Sequence, residues 1–171
     1  MKYSSVFDEV VSVSFDEWTQ KITKQLQDNS SNLTIKGLIG SSRALFLSRL
    51  VQFTSRPIVV LTPDQNAGEK LIGDLKYFYY FNKIKKVSRF FPTWELLPYE
   101  RLSPMAEISG ERLEILHLLQ RNDTPLIVVP VEAIMQCVIP QSDLSKLTFS
   151  VVKGENYERD YLEACLFDNG Y

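Results

Sequence analysis

The chain of 171 residues can form one ordinary domain, or one domain and the beginning of a second, and its apolar content of 44% can fill a core. Lys and Arg number 19 against 21 Asp and Glu, so the net charge of −2 excludes a global basic field that would hold nucleic acid. The longest apolar runs, such as Leu126 to Val131, are far shorter than the roughly 20 residues of a membrane helix, and Met1 to Val13 lacks a signal-peptide pattern. We therefore expect a cytoplasmic protein with no membrane partner.

The first half of the chain alternates helix-period segments with short apolar strands. Ser14 and Glu17 form a capping-box pair, and the apolar residues that follow at helical spacing predict a first helix. Ile58 to Leu61 is a continuous apolar run, typical of a strand covered on both faces. The other elements predicted here are a strand from Leu33 to Leu38, a helix from Ser42 to Phe53, a helix that starts after Asp64 and a strand from Lys86 to Phe90.

The second half contains a long segment without a consistent period. Residues 91 to 108 carry three prolines with Trp94 and Tyr99 between them, which indicates a long ordered loop. The elements predicted after it are a helix over 109–120, a strand over 126–129, a short helix over 132–138, a strand over 147–152 and a helix over 157–167 capped by Asn169-Gly170.

The alternation as a whole predicts an α/β fold in which helices flank a parallel sheet. A polar connector, residues 141–145, precedes the last predicted strand and helix. We therefore expect one α/β domain over residues 1–140, and over residues 141–171 the start of a second domain that this chain does not complete.

The turn after the first predicted strand has the context of a phosphate-binding P-loop but lacks its side chains. A working loop reads G-x-x-x-x-G-K-[ST], in which backbone amides cradle phosphates, the lysine contacts them and the hydroxyl ligates Mg²⁺. The matching residues here are Gly37, Leu38, Ile39, Gly40, Ser41, Ser42, Arg43 and Ala44. Ser42 replaces the second glycine, Arg43 the lysine and Ala44 the hydroxyl residue, so phosphate and magnesium lose their ligands.

Loss of the metal ligand alone should abolish phosphoryl transfer, which depends on positioning and charge stabilisation. No acidic pair ends the strand at Leu126 to Val129, and Cys137 and Cys165, which we expect to be buried, cannot form a thiolate metal site. We expect no catalytic residue, metal or cofactor in this chain. On this stretch alone, an ordinary strand-to-helix turn explains the glycines as well as a decayed P-loop does.

Several stretches resemble the N-terminal region of bacterial transcription-repair coupling factors, the Mfd family. They are Phe91 to Pro104, Glu107 to Leu113, Gly37 to Leu47, Thr62 to Gln65, and Val128 to Gln136 before Pro140, in the family's order and spacing. The residues that carry the signature of the long loop are Phe91, Pro92, Trp94, Glu95, Leu97, Pro98, Tyr99, Ser103, Pro104, Glu111 and Arg112. The resemblance spans roughly residues 37 to 171.

The resemblance implies a fold and a role that composition does not show. Members of this family displace RNA polymerase stalled at DNA lesions and recruit the excision-repair protein UvrA. Their N-terminal module is similar to the excision helicase UvrB, with the RecA-like nucleotide site decayed into a degenerate P-loop, while a separate motor binds ATP and Mg²⁺. Residues 1–140 would then be the degenerate helicase subdomain, and residues 141–171 the start of a UvrA-binding-type subdomain.

The aromatic loop has two interpretations. Its rings could stack bases, as in UvrB-like enzymes, or pin the loop against the sheet, and the acidic neighbours Glu95, Glu100 and Glu107 favour pinning. The one basic cluster, Lys83, Lys85, Lys86 and Arg89, is explained by a solvated entry to a strand.

Three functional hypotheses follow. The leading one is a non-catalytic adaptor that meets RNA polymerase and DNA only through a longer parent protein and its other domains. The alternative is a nucleotide-dependent fragment of a UvrB-type helicase, which residues 42 to 44 disfavour. An autonomous nucleic-acid-binding domain would need a basic face that the sequence does not supply.

Overall fold

The computed structural model describes residues 15–27, 32–94, 96, 103–121 and 126–168 of the chain. Its elements are α1 Phe15–Gln27, α2 Ser42–Phe53, β1 Ile58–Thr62, α3 Gln65–Phe81, β2 Ser88–Phe90, α4 Ala106–Gln120, β3 Leu126–Pro130, α5 Val131–Ile134, α6 Gln141–Leu147 and α7 Arg159–Asp168.

The strands form a parallel sheet in the order β1-β3-β2, with β3 in the centre. Val60 of β1 lies opposite Val128, and Ser88 of β2 lies opposite Leu126. Parallel neighbours need crossover connections, and α3 and α4 supply them. The predicted α/β fold with a parallel sheet flanked by helices is therefore confirmed, including the boundaries of α2.

Side chains of β3 alternate between two cores because successive residues of a strand point to opposite faces. On one face Leu126 and Val128 pack with buried residues of α2 and α3, such as Val51 and Leu75. On the other face Ile127 and Val129 pack with Ile115, Phe91 and Ala133. A third cluster of Ile22, Phe46 and Leu50 joins α1 to α2. The central strand is buried along its whole length, as a parallel strand between helix layers should be.

The strand predicted from Leu33 to Leu38 is wrong. Among the described residues this segment joins no sheet, and Leu33 is exposed. Ile35 and Leu38 instead pack against the cluster between α1 and α2. The side chains of Ile35 and Leu38 are thus partly buried against helices, and their burial does not require a neighbouring strand.

The prediction that the Ile58–Leu61 strand is covered on both faces is also wrong. β1 is an edge strand, and its side chains alternate between partial burial and exposure until Thr62. Val59 is 52% exposed and Leu61 is 55% exposed. The helix α4 covers Ile127 and Val129 on this face and leaves β1 open.

The chain divides into two compact units between Gln136 and Cys137. In the second unit, the polar connector 141–145 is the body of helix α6, and the strand predicted over 147–152 is wrong. Pro140 precedes the first turn of α6, where its missing N–H costs no hydrogen bond. Cys137 is exposed, contrary to expectation, and Cys165 is partly buried.

The predicted cap Asn169-Gly170 and the residue Ser14 lie outside the described residues. In the part of the chain that the structure describes, every helix is too short or too polar to cross a membrane.

The close approach of α3 to the sheet depends on Gly68. A Cβ added there would lie 2.6 Å from Cε2 of Phe90 and 3.1 Å from Oγ1 of Thr62. We expect Gly68→Ala to force Phe90 away from the core and to lower the free energy of unfolding by about 1–3 kcal/mol. Urea denaturation is the measurement.

Gly73→Ala on the same helix is the matched control. A Cβ at Gly73 has no atom within 4 Å, so the substitution should stabilise the helix by roughly 0.5–1 kcal/mol. Equal effects of the two substitutions would contradict the packing of α3 on β2.

Candidate functional site

The glycine turn before α2 closes on itself. Gly37 and Gly40 have positive φ angles of 87° and 59°, the region that favours glycine. The backbone N–H of Ser42 donates to the carbonyl of Ile39 at 3.2 Å, and the Ser42 hydroxyl donates to the same oxygen at 2.7 Å. The amide and the hydroxyl that would face a phosphate are therefore already used inside the turn.

The three residues predicted to replace the P-loop side chains have separate roles. Ser42 is the first residue of α2, and Arg43 is exposed, with its Nε donating to the carbonyl of Leu38 at 3.3 Å. Ala44 is fully buried and packs in the core between α2, α3 and β3. The Ala44 side chain points into the protein, so the hydroxyl of a serine or threonine at this position would not reach a metal ion beside the turn. Ser41, at the N-cap position, is exposed and makes no side-chain cap.

A depression of about 370 Å³ lies beside this turn, at the carboxyl end of β1. This is the edge of a parallel sheet at which α/β proteins bind ligands. Arg43 and Lys70 line it with positive charge, while Asp74 lines it with negative charge. The carboxylate opposes a polyphosphate, and within the described residues no group of His, Cys, Asp or Glu side chains could hold a metal ion.

The segment Phe91–Trp94 is fixed by a buried arginine on α4. Arg112 is 1% exposed, and its guanidinium lies 4.2 Å from the centre of the Phe91 ring and 4.3 Å from that of Trp94. Its Nη1 donates to the carbonyl of Pro92 at 2.6 Å and to Oε1 of Gln136 at 3.0 Å. The planar cation thus joins α4, the segment after β2 and the end of the first unit.

Two glutamines complete the network, which we call the Arg112 cluster: Arg112, Phe91, Pro92, Thr93, Trp94, Gln65 and Gln136. Gln136 Oε1 also accepts from the backbone N–H of Trp94 at 3.1 Å. The Thr93 hydroxyl donates to Oε1 of Gln65, at the start of α3, at 2.5 Å. Trp94 is half-buried in this network, so the contacts favour the pinning interpretation over a base-stacking surface.

Burial affects the charge of Arg112. It lowers the pKa of the guanidinium below its ordinary value, because removal from water disfavours the charged form. Within the described part of the chain, the acceptors around the cation are a carbonyl and an amide oxygen, and Nη2 has no hydrogen-bond partner. A guanidinium so placed binds protein segments together and has no proton to exchange at neutral pH.

The structure brings together only part of the signature loop. Phe91, Pro92, Trp94 and Arg112 meet in the Arg112 cluster, whereas Ser103, Pro104 and Glu111 are exposed. The positions Glu95, Leu97, Pro98 and Tyr99 lie outside the described residues.

Sequence reasoning missed the roles of Gln65 and Gln136. Both stand in stretches with family resemblance, Thr62 to Gln65 and Val128 to Gln136, yet nothing local marks them as hydrogen-bond partners of the loop. One signal could have found them: the stretches that contain the two glutamines resemble the same family as the signature loop does. Four of the resembling stretches contribute residues to the Arg112 cluster.

We expect Arg112→Lys to lower the free energy of unfolding by about 2–4 kcal/mol. A lysine keeps the charge but cannot lie flat between two rings while donating to two acceptors, and it leaves polar groups buried without partners. Chemical denaturation with Trp fluorescence is the measurement.

Arg89→Lys is the control, because Arg89 makes an exposed ion pair with Glu114 at 3.1 Å that a lysine can keep. Its effect should stay within about 0.5 kcal/mol. An Arg112→Lys variant as stable as this control would refute the role of the guanidinium.

Comparison with known proteins agrees with the resemblance seen in the sequence. No protein-family model matches the chain. It is 33% identical over 139 residues to the transcription-repair-coupling factor of Myxococcus xanthus, which covers 80% of this chain and 12% of that protein. The transcription-repair-coupling factor of Escherichia coli K12 is 28% identical over 134 residues, or 78% of this chain and 11% of that protein.

A second group of relatives is more distant. The UvrABC system protein B of Thermosipho africanus is 21% identical over 164 residues, which is 91% of this chain and 25% of that protein. The chain thus spans about an eighth of the coupling factors and a quarter of the UvrB proteins it matches. Because both groups match most of the same residues, this chain resembles the UvrB-like region of transcription-repair-coupling factors.

Proposed function

We propose that this chain is a non-catalytic adaptor and regulatory module of a transcription-repair coupling factor. It forms part of the UvrB-like module that recruits UvrA to stalled RNA polymerase in nucleotide excision repair. The similarity to coupling factors and to UvrB supports a DNA-repair role. ATP hydrolysis, DNA translocation and contact with RNA polymerase belong, in this proposal, to other domains of a longer protein.

The observation that carries the non-catalytic part is the self-contained glycine turn. The backbone N–H and the hydroxyl of Ser42 both donate to the carbonyl of Ile39, and the Ala44 side chain is buried in the core. A nucleotide would have to break these hydrogen bonds and would still find no magnesium ligand at the Ala44 position. These contacts support a degenerate P-loop over a working one.

The open face of β1 supports docking by another domain of the same parent protein. Val59 and Leu61 are each more than half exposed on an edge strand, which is a surface that proteins usually cover. The coupling factors that the chain matches are about eight times longer than the matched region. A neighbouring domain of such a protein is the occupant we assign to this face.

We assign residues 141–171, which make up most of the second unit, to the start of the UvrA-binding-type subdomain. Its helix α7 exposes Tyr161, Leu166 and Phe167, of which Phe167 is 79% exposed. A pair of short helices buries few apolar side chains, so further elements of that subdomain are needed to cover them. The binding centre for UvrA would be carried by those further elements, where a few residues supply most of the energy.

We expect no measurable binding of Mg-ATP to this chain. Isothermal titration calorimetry should show a dissociation constant weaker than about 1 mM, which corresponds to roughly 4 kcal/mol. Tighter binding would favour the alternative of a nucleotide-dependent UvrB-type helicase fragment. In that case the affinity for Mg-ATP should fall when Arg43 is replaced by alanine, since Arg43 lines the depression beside the turn.

We expect this chain to bind UvrA at least tenfold more weakly than a longer polypeptide that includes the whole UvrA-binding-type subdomain. Tenfold corresponds to about 1.4 kcal/mol. Calorimetric titration of UvrA into each protein is the measurement. Equal affinities would place the interface within residues 1–171 and would show that our placement of the binding centre is wrong.

A further inference from the structure

Three aromatic side chains lie exposed together at the end of α3. Tyr77 is 62% exposed, Tyr80 is 87% exposed and Phe81 is 69% exposed. Residues three and four apart share one face of a helix, so these rings are neighbours. Of the two aromatic residues between them, Tyr79 is buried in the core and Phe78 packs against it. The three exposed rings are not part of this core.

The rings are arranged as a platform. Tyr77 and Phe81 are stacked, with centroids 6.2 Å apart and planes inclined by 14°, and Phe78 braces Tyr77 edge-on at 5.4 Å. Tyr80 follows Tyr77 by three residues on the same helix and is almost fully open to solvent. Contiguous exposed aromatic surface of this kind marks a binding surface more often than an accident of folding.

The chain around the platform is basic. Residues 76–94 contain five Lys or Arg residues and no Asp or Glu, in a chain that is acidic as a whole. The turn after α3 keeps Lys83 close to the rings, because its backbone N–H donates to the carbonyl of Tyr80 at 3.2 Å and its φ is 53°. Lys83 and Lys85 are exposed, and within the described residues no ion pair involves either of them.

The other basic residues of this stretch are committed elsewhere. Lys86 donates to the carbonyls of Val51 and Thr54 at the end of α2, and Arg89 pairs with Glu114. Lys76 shares a depression with Glu111 and Glu114, which offset its charge. Lys83 and Lys85 are thus two exposed basic residues of this stretch that form no ion pair within the described residues, and they follow Phe81 by two and four residues.

We propose that this aromatic platform binds single-stranded nucleic acid. Unpaired bases stack on Tyr80 and on the Tyr77–Phe81 pair, while Lys83 and Lys85 contact the phosphates. A duplex hides its base faces and would gain only the two lysine contacts. An acidic peptide would likewise use the lysines and leave the rings without partners.

The proposal does not depend on the recruitment of UvrA or on the state of the glycine turn. It is also compatible with the net charge of −2, because stacking supplies most of the attraction and only two phosphate contacts are involved. With so few contacts the binding should be weak, sequence-tolerant and strongest at low salt, with a dissociation constant on the order of 100 µM.

Fluorescence anisotropy of a labelled oligothymidylate, titrated with the whole chain at low salt, tests the proposal. We expect Tyr80→Ala to weaken binding about tenfold and Tyr80→Phe to keep it, because stacking needs the ring and not the hydroxyl. Lys83→Gln and Lys85→Gln should each reduce the salt dependence by about one released counterion. Tyr80 is so exposed that these variants should fold, which urea denaturation checks.

Tyr161→Ala is the matched control, because Tyr161 is a 58% exposed tyrosine on the helix α7 of the second unit. It should leave the affinity unchanged. Several results would overturn the proposal: no binding by the unmodified chain, equal loss in Tyr80→Ala and Tyr161→Ala, or equal affinity for a duplex of the same length. Self-association that Tyr80→Ala abolishes, without oligonucleotide binding, would instead assign the platform to a second copy of this chain.

Discussion

A guanidinium ion cannot be taken out of water unless its surroundings replace the lost hydration, and this constraint governs the centre of the first unit. Among the described residues, two aromatic faces and two oxygen acceptors replace part of the hydration of Arg112. Each acceptor belongs to a different part of the chain. The burial of one cation therefore fixes the segment after β2, the middle of α4 and the end of the first unit relative to one another.

Much of the fold could be predicted from local patterns because those patterns reflect local physics. The boundaries of α2 follow from the glycine turn before it and from Arg56-Pro57 after it, and β3 follows from an apolar run buried between helix layers. The two wrong strands, Leu33 to Leu38 and residues 147–152, had apolar content without a sheet partner. Strand formation needs a neighbouring strand, and neither composition nor alternation shows where that neighbour lies.

Part of the Arg112 cluster could be named from the sequence, but the contacts between its members could not. Phe91, Pro92, Trp94 and Arg112 could be named from a resemblance, while their mutual contacts depend on partners 20 to 42 residues away in the sequence. Gln136 is the clearest case, since its amide oxygen accepts from both Arg112 and Trp94 and looks ordinary in the sequence. The residue types at positions 42 to 44 could be compared with a P-loop directly, because a missing hydroxyl or lysine is a property of the residue itself. The burial of Ala44 could be seen only in the fold.

Arg112 and Trp94 together hold the segment after β2 in place, through the contact between the guanidinium and the indole ring. A double-mutant cycle with Arg112→Met, Trp94→Leu and the double variant, measured by chemical denaturation, tests this joint role. We expect a coupling free energy of at least about 1 kcal/mol, because each single substitution removes the same cation–ring contact. Effects that add to within about 0.3–0.5 kcal/mol would show that the two side chains act independently and would refute the joint role.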